Sequence, residues 1–228
     1  MNISFLIPAF NEERTIGQLV ERVLALPGEK ELIIIDDGST DQTATIVNRL
    51  AADHDEVRVI RQKNHGKGSA LRAGIPRISG EIVVIQDADL EYDPADVPQL
   101  IEPIVAGHAD VVYGSRLSGG RPQRAYLFWH MVGNKLLSLL TGLLYNTTLT
   151  DMETGYKAFR ADVLRSLDLR EDGFGIEPEI TARICQQHLR IYELPIAYYG
   201  RSYAEGKKIT WRDGVRAIVI LLRIRLEG

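Results

Sequence analysis

Along the first half of the chain, short and almost wholly apolar runs alternate with helix-like segments, and most runs end in polar or glycine residues. This pattern constrains the fold more than any other feature. Strands that are apolar throughout must be buried on both faces, which is the situation inside a parallel sheet covered by helices on both sides. The strand-like runs are Ile3 to Ile7, Leu32 to Ile35, Val57 to Ile60, Ile82 to Ile85 and Asp110 to Tyr113. Between them, Ile16 to Leu24, Thr43 to Leu50, Ser69 to Ile78 and Pro94 to Val105 carry apolar residues at helical spacing. Asp93 and Pro94 suit an N-cap and a first helical position, whereas Pro98 and Pro103 predict a kink or split. In such sheets ligands bind beyond the carboxyl ends of the strands, so chemistry is expected in the segments that follow them.

The second half reads differently. A long helix is expected from Tyr126 to Tyr145, interrupted at Gly142, then a strand from Tyr156 to Phe159. Helices follow near Asp162 to Leu167 and Glu177 to Gln187, and strands near Ile191 to Leu194 and Ala197 to Tyr199. No repeat, low-complexity stretch or linker divides the 228 residues, so one α/β domain is expected. With 27 basic and 31 acidic residues the net charge is −4, which argues against a nucleic-acid-coating surface. The single cysteine, Cys185, has no internal partner, which fits a reducing compartment. The N-terminus lacks a basic region before an apolar run, so no signal peptide is expected. The longest apolar run, Ala217 to Leu222, is far shorter than the roughly 20 residues that span a bilayer. We expect a cytoplasmic protein, soluble or peripheral to the membrane at its cytoplasmic face.

The most pointed chemical signal is Asp87-Ala88-Asp89-Leu90-Glu91, directly after the run ending at Ile85. Carboxylates two residues apart on an extended chain can point the same way. Hard divalent cations such as Mg²⁺ or Mn²⁺ take carboxylate oxygens and complete their shell with substrate phosphates. The same residues also suit a solvated turn. Elsewhere the strand ends carry Pro8-Ala9-Phe10-Asn11-Glu12-Glu13, Asp36-Asp37-Gly38-Ser39-Thr40-Asp41, Asn64-His65-Gly66-Lys67-Gly68 and Gly114-Ser115-Arg116. Asn11, Glu12 and Glu13 equally suit the first turn of a helix, and Asp41 suits the N-cap of the next one. Lys67 sits in a glycine pair that lacks the spacing of a phosphate-binding loop, so a solvated surface position suits it as well.

Taken in order, these segments resemble the family 2 glycosyltransferases of the GT-A fold, and within them the polyprenyl-phosphate glycosyltransferases of the dolichol-phosphate mannose synthase type. The resemblance continues through Thr150-Asp151-Met152-Glu153-Thr154-Gly155 and Arg201-Ser202-Tyr203-Ala204-Glu205-Gly206-Lys207-Lys208. It implies a Rossmann-like, mostly parallel sheet flanked by helices, with residues 1–116 as the nucleotide-sugar half, 117–209 as the acceptor half and 210–228 as a C-terminal amphipathic helix. Pro8, Phe10, Glu12, Asp37 and Lys67 would face the nucleotide. Asp87 and Asp89 would hold metal and diphosphate, with Glu91 as a further metal ligand. Arg116, Arg201 and Lys207 would neutralise phosphates. Where dolichol-type synthases carry a helical arginine this chain has His130, with Asn134 one turn later, which implies a different grip on an acceptor phosphate.

The implied reaction transfers a hexose, with inversion, from a nucleotide-diphosphate sugar of the GDP-mannose or UDP-glucose type to a polyprenyl or dolichyl phosphate. Mg²⁺ or Mn²⁺ would serve as cofactor. A hydroxyl acceptor is the alternative, and it would need a carboxylate base, for which Asp151 and Glu153 are the candidates. No Gly-x-Ser-x-Gly elbow supports serine hydrolysis. An aspartyl-phosphate phosphatase would want its paired aspartates after the first strand rather than the fourth, and a non-catalytic nucleotide-binding module is the remaining reading. Arg201, Lys207 and Lys208, with Gly206 among them, predict a segment that closes over the phosphates.

From Thr210 to Leu226 a helix is expected in which Arg212, Arg216 and Arg223 fall within about 40° of one another. Val215, Ile218, Leu221, Leu222 and Ile224 spread over much of the remaining circumference. Docking on the domain, contact with anionic lipid headgroups and homo-oligomerisation would each use such a helix.

Overall fold

The computed structural model describes residues 2–125, 127–201 and 210–227. Five strands follow the expected order: β1 (Ile3–Ala9), β2 (Lys30–Asp36), β3 (Val57–Arg61), β4 (Ile82–Ile85) and β5 (Val111–Ser115). The helices between them are α1 (Ile16–Leu24), α2 (Thr43–Asp53), α3 (Lys67–Gly74) and α4 (Val97–Val105). A separate 3₁₀ turn, Pro94–Asp96, precedes α4, and its cap is Asp93, whose carboxylate accepts the Ala95 N–H at 3.1 Å. Pro98 sits in the first turn of α4, where no N–H is needed, and Pro103 lies inside the last turns without ending the helix. The break therefore precedes both prolines.

The second half adds α5 (Phe128–Tyr145), β6 (Lys157–Arg160), α6 (Ala161–Ser166), α7 (Ile176–Gln186), β7 (Ile191–Pro195) and α8 (Trp211–Glu227). The expected interruption at Gly142 is absent: α5 runs through it, and a Cβ there would press on the Thr147 carbonyl. The run Ala197 to Tyr199 is not a strand but a pair of isolated bridges through Tyr198. Of the expected phosphate-closing segment, Arg201 to Lys208, only Arg201 lies within the described residues.

The seven strands form one sheet in the order β3-β2-β1-β4-β6-β5-β7. All neighbours are parallel except at β6, which runs antiparallel between β4 and β5. Chain alternation distributes the apolar side chains to the two faces. Phe5, Ile7, Leu32 and Ile34 pack under α1, α2 and α4 with Ile16, Val47 and Leu100. Leu6, Ile33 and Ile35 pack on the opposite side with Leu71 of α3, Leu164 of α6 and Ile180 of α7. A third cluster joins Leu137 of α5 and Ala182 of α7 to Ala217, Ile220, Leu221 and Ile224 of α8.

The C-terminal helix is docked on the domain, and its basic stripe turns inward. Arg216 and Arg223 both donate to the buried carboxylate of Glu171, at 2.7 and 3.1 Å. Two of the three arginines that the sequence offers to lipid headgroups are thus occupied by the protein itself.

Candidate active site

The parallel strands β1, β2, β4 and β5 deliver their carboxyl ends to the same edge of the sheet, and a cavity of about 340 Å³ opens there. Its wall carries Pro8, Phe10 and Glu12 after β1, Asp37 after β2, Lys67 at the start of α3 and Asp87, Asp89 and Glu91 after β4. Arg116 after β5, His130 and Asn134 on α5, Glu153 and Arg201 complete it. Residues separated by almost two hundred positions therefore meet in one place.

The nucleotide end is built from crossed loops. Asn11 Oδ1 accepts the Thr40 N–H at 2.8 Å, and Thr43 Oγ1 accepts the Glu12 N–H at 2.8 Å. Gln42, not the expected Asp41, is the N-cap of α2; Asp41, one residue earlier, accepts the Thr43 N–H at 2.9 Å. Asp37 reaches the pocket but gives both oxygens to the loop after β3. They accept Gln62 Nε2 at 2.7 Å, His65 N–H at 3.0 Å and Gly66 N–H at 2.8 Å. Gly66, at φ 103°, backs onto the carbonyl of Asp172, so a side chain there would collide as well as strain.

Lys67 is no solvated surface residue. Its ammonium lies 2.7 Å from Asp87 and 3.0 Å from Glu177. Burial disfavours its charge, but Asp87 and Glu177 outweigh burial and raise its pKa. Glu177 also pairs with Lys157, which is fully buried and donates to the Thr154 carbonyl.

Arg201 bridges three acids. Its guanidinium donates to Glu12 at 3.0 and 3.2 Å and to Asp89 at 2.8 Å, and its N–H donates to Glu91 at 2.7 Å. Glu91 also accepts the Tyr198 hydroxyl at 2.8 Å. Burial, followed by the charges of Asp87 and Glu91, pushes the Asp89 carboxyl up to about 7 against the pull of Arg201.

Seven carboxylates line the cavity against Lys67, Arg116 and Arg201. That excess of negative charge is the wrong sign for a diphosphate and the right sign for a cation that brings one. The oxygen donors of Asp87, Asp89 and Glu91 suit Mg²⁺ or Mn²⁺ chemically. As described, however, the three do not converge: Lys67 holds Asp87, Arg201 holds Asp89, and Glu91 turns to Tyr198. Among the described residues no group of three or more acidic, histidine or cysteine side chains is arranged to hold a metal ion.

Asp151 is corrected by the structure. It does not line the cavity; it is fully buried behind it, gripping Arg116 in a fork at 2.7 and 2.8 Å and taking the Arg116 N–H at 2.9 Å. Both of its oxygens are taken by Arg116, so Asp151 holds that arginine in place. Lys207 lies outside the described residues.

Sequence reasoning missed Tyr92, Tyr198 and Glu177. Tyr92 stacks on Tyr156 at 5.0 Å, and the Arg116 guanidinium sits 5.3 Å from the centre of the Tyr198 ring. Tyr92 and Tyr198 line the cavity, and neither the polar turn around Tyr92 nor the apolar run around Tyr198 signals it in the sequence.

Glu153 differs from Asp151. It lines the cavity, and its Oε1 is buried with no hydrogen-bond partner among the described residues. Burial and then Glu177 push its carboxyl up to about 7, against Lys157 and Arg116. Between its ordinary value and about 7, the folded protein holds a proton that the unfolded chain has lost. Stability therefore falls as pH rises through that window, and the penalty is complete above about 7. Glu153→Gln should remove it. Urea unfolding at pH 8 should show the variant more stable by up to roughly 2–3 kcal/mol, with no gain near pH 4. An equal difference at both pH values would show that Glu153 is not held protonated.

Comparison with known proteins follows the same lines. The family model for Glycosyl transferase family 2 matches residues 4–168. A dodecaprenyl-phosphate galacturonate synthase from Rhizobium johnstonii is 29% identical over 91% of this chain, which spans 62% of that relative's length. An undecaprenyl-phosphate mannosyltransferase from Micrococcus luteus is 31% identical over 91% of this chain and 87% of its own. Among solved structures, glucosyl-3-phosphoglycerate synthase from Mycobacterium tuberculosis, in complex with Mg²⁺ and uridine diphosphate, superposes with a TM-score of 0.74 at 26% identity. That match covers 98% of this chain and 79% of the other.

Proposed function

The chain belongs to glycosyl transferase family 2, and from that premise we propose that it transfers a hexose from a nucleotide-diphosphate sugar to a polyprenyl or dolichyl phosphate, inverting the anomeric centre. The donor is of the GDP-mannose or UDP-glucose type. One observation carries the reading: a single cavity joins the Asp87-Ala88-Asp89 turn to Arg116, with His130 and Asn134 of α5 lining the same space. The relatives' printed names, which pair sugars with polyprenyl phosphates, support the acceptor class.

In this reading Pro8, Phe10, Glu12 and the loop shaped by Asp37 enclose the nucleoside, and Lys67 faces the diphosphate. Asp87 and Asp89 would hold a divalent cation, which supplies charge neutralisation at the departing nucleoside diphosphate. Arg116, fixed by Asp151, presents its charge without having to search for a rotamer, so its electrostatic help is preorganised. An oxygen of the acceptor phosphate attacks the anomeric carbon as the bond to the diphosphate breaks. Being already anionic, it needs little help from a base. His130, Asn134 and Lys207 would orient it.

The hydroxyl-acceptor reading keeps one supporting observation, the unpaired oxygen of Glu153 in the same cavity. The work would take place at the cytoplasmic face of a membrane. Among the described residues no helix is long and apolar enough to cross one.

The test is release of nucleoside diphosphate from a panel of nucleotide sugars with Mn²⁺, offering either a short-chain polyprenyl phosphate or a saccharide hydroxyl. Release that requires the lipid phosphate supports the reading. Release that requires the hydroxyl, or neither acceptor, rejects it.

A further inference from the structure

We propose that Arg216 and Arg223 of α8 are positioning residues for the donor site. Through Glu171 they hold the segment between α6 and α7 against the first turn of α3, where Lys67 stands. The substrate side of this rests on the transferase reading, whereas the coupling stands on packing and charge alone. Residues 170–175 form no helix or strand, so their placement depends on anchors outside the segment. Toward α7, the Arg170 and Glu171 N–H groups donate to Glu179 at 2.9 and 2.7 Å. Toward α3, the Asp172 carbonyl accepts the Ser69 N–H at 2.9 Å, and the Asp172 carboxylate pairs with Arg72. Toward α8, one oxygen of Glu171 faces Arg216 and the other faces Arg223.

Glycines bring the backbone of this segment against both helices. A Cβ on Gly68 of α3 would overlap the Glu171 carbonyl, just as one on Gly66 would meet that of Asp172. On the other side, a Cβ on Gly175 would come within 2.5 Å of Ile220 of α8 and 2.8 Å of the Glu171 carboxylate. The segment is therefore wedged between α3 and α8, and close-packed contacts transmit a displacement rather than absorb it. Its Gly173 and Phe174 line the same cavity as Gly66 and Lys67. A shift of the segment is thus a shift of the donor wall.

Charge explains why the anchor on α8 decides the placement. Glu171 is buried, and among the described residues its ion-pair partners are these two arginines. A buried carboxylate must be paired or reach water. Without the arginines it turns outward, which draws the adjoining carbonyls away from α3. Ser69 then loses the acceptor for a first-turn N–H, a group that a helix cannot satisfy from within. The turn that frays carries Lys67, the cation at the diphosphate in the proposed reaction. Each arginine gives a single N–H to a single oxygen, so the anchor needs two cations rather than a guanidinium fork.

The test is amide hydrogen exchange of the full chain without donor, acceptor or metal. The double change Arg216→Gln, Arg223→Gln leaves the packed face of Ala217, Ile220, Leu221 and Ile224 intact, so α8 stays docked. Exchange in the peptides covering 64–74 and 168–176 should quicken by about tenfold, the scale of losing charge-assisted hydrogen bonds to a buried acid. Glu171→Gln should quicken the same peptides, and Arg216→Lys, Arg223→Lys should restore the parent's protection. Tyr145→Phe is the control, because it removes a different bond to α8, from the Tyr145 hydroxyl to the Leu221 carbonyl at 2.7 Å. It should leave both peptides unchanged. With the nucleotide sugar that the parent turns over, the double glutamine variant should raise donor KM about tenfold and keep kcat within about twofold. Unchanged exchange overturns the coupling, and so does equal quickening in Tyr145→Phe, which is a general loosening of α8. Quickened exchange with an unmoved donor KM overturns the positioning role. The exchange arm needs no substrate, so it and the transferase reading can fail separately.

Discussion

Asp89→Ala is expected to lower kcat/KM for transfer by about three orders of magnitude or more, the scale of removing several kcal/mol of transition-state charge stabilisation. The fold should survive. Asp89 is an acid that burial and the neighbouring charges of Asp87 and Glu91 disfavour when ionised. Its removal relieves repulsion rather than breaking a needed pair, and Arg201 keeps Glu12 and Glu91 as partners. The melting temperature should therefore stay within a few degrees of the parent. A second readout separates cation binding from chemistry: Mn²⁺ titration of the free protein, followed by paramagnetic resonance, should show a bound ion in the parent and none in the variant. Asp89→Asn keeps the shape and removes the charge, so it should behave like alanine. Full activity in excess EDTA, or a variant that still binds Mn²⁺ and turns over normally, would sink the assignment of Asp89.

The residues that could be placed from the chain alone are those whose role is written locally. Asp87 and Asp89 follow a four-residue apolar strand, and the strand-end rule directs them to the ligand edge, where they are found. The family resemblance places Arg201 at the phosphates, but nothing local to it shows three acids gathering around it. Asp151 shows the limit of pattern. A carboxylate in a polar turn reads as a base, yet its carboxylate closes on Arg116 of β5's end, a partner 35 residues away. Tyr198 was hidden inside an apolar run that reads as a strand, because bridging to single residues leaves the same local signature as pairing along a ladder. The antiparallel insertion of β6 between β4 and β5 was equally invisible, since strand order depends on crossings that no hydrophobic period records. Arg216 and Arg223 share one helix face in the sequence, but only the fold reveals that Glu171 lies beneath them.

Glu177 is where the largest loss of stability is expected, and its neighbours explain why. It stands at the start of α7 between Lys157 of β6 and Lys67 of α3, with all three side chains little exposed. Burial pushes its carboxyl up, but the two ammoniums outweigh burial and hold it low. Lys157 is in the reverse position: burial pulls its pKa down against the pull of Glu177. Removing the shared acid leaves Lys157 with a backbone carbonyl and the face of Tyr113, whose centre lies 4.9 Å away. Breaking a buried pair from one side costs about 3–5 kcal/mol, so Glu177→Ala should lower the melting temperature by roughly 10 °C or more for a chain of this size. The double change Lys157→Met, Glu177→Leu removes both charges and fills the space with apolar atoms, so it should recover most of that loss. Lys67 would keep Asp87 but lose its second anchor. The double variant should accordingly fold normally yet bind the nucleotide sugar more weakly, raising the donor KM more than it lowers kcat. If the two single changes simply add, the pair is not coupled. If donor KM is unmoved in the stable double variant, the buried chain from Lys157 to Lys67 supports the fold and not the donor site.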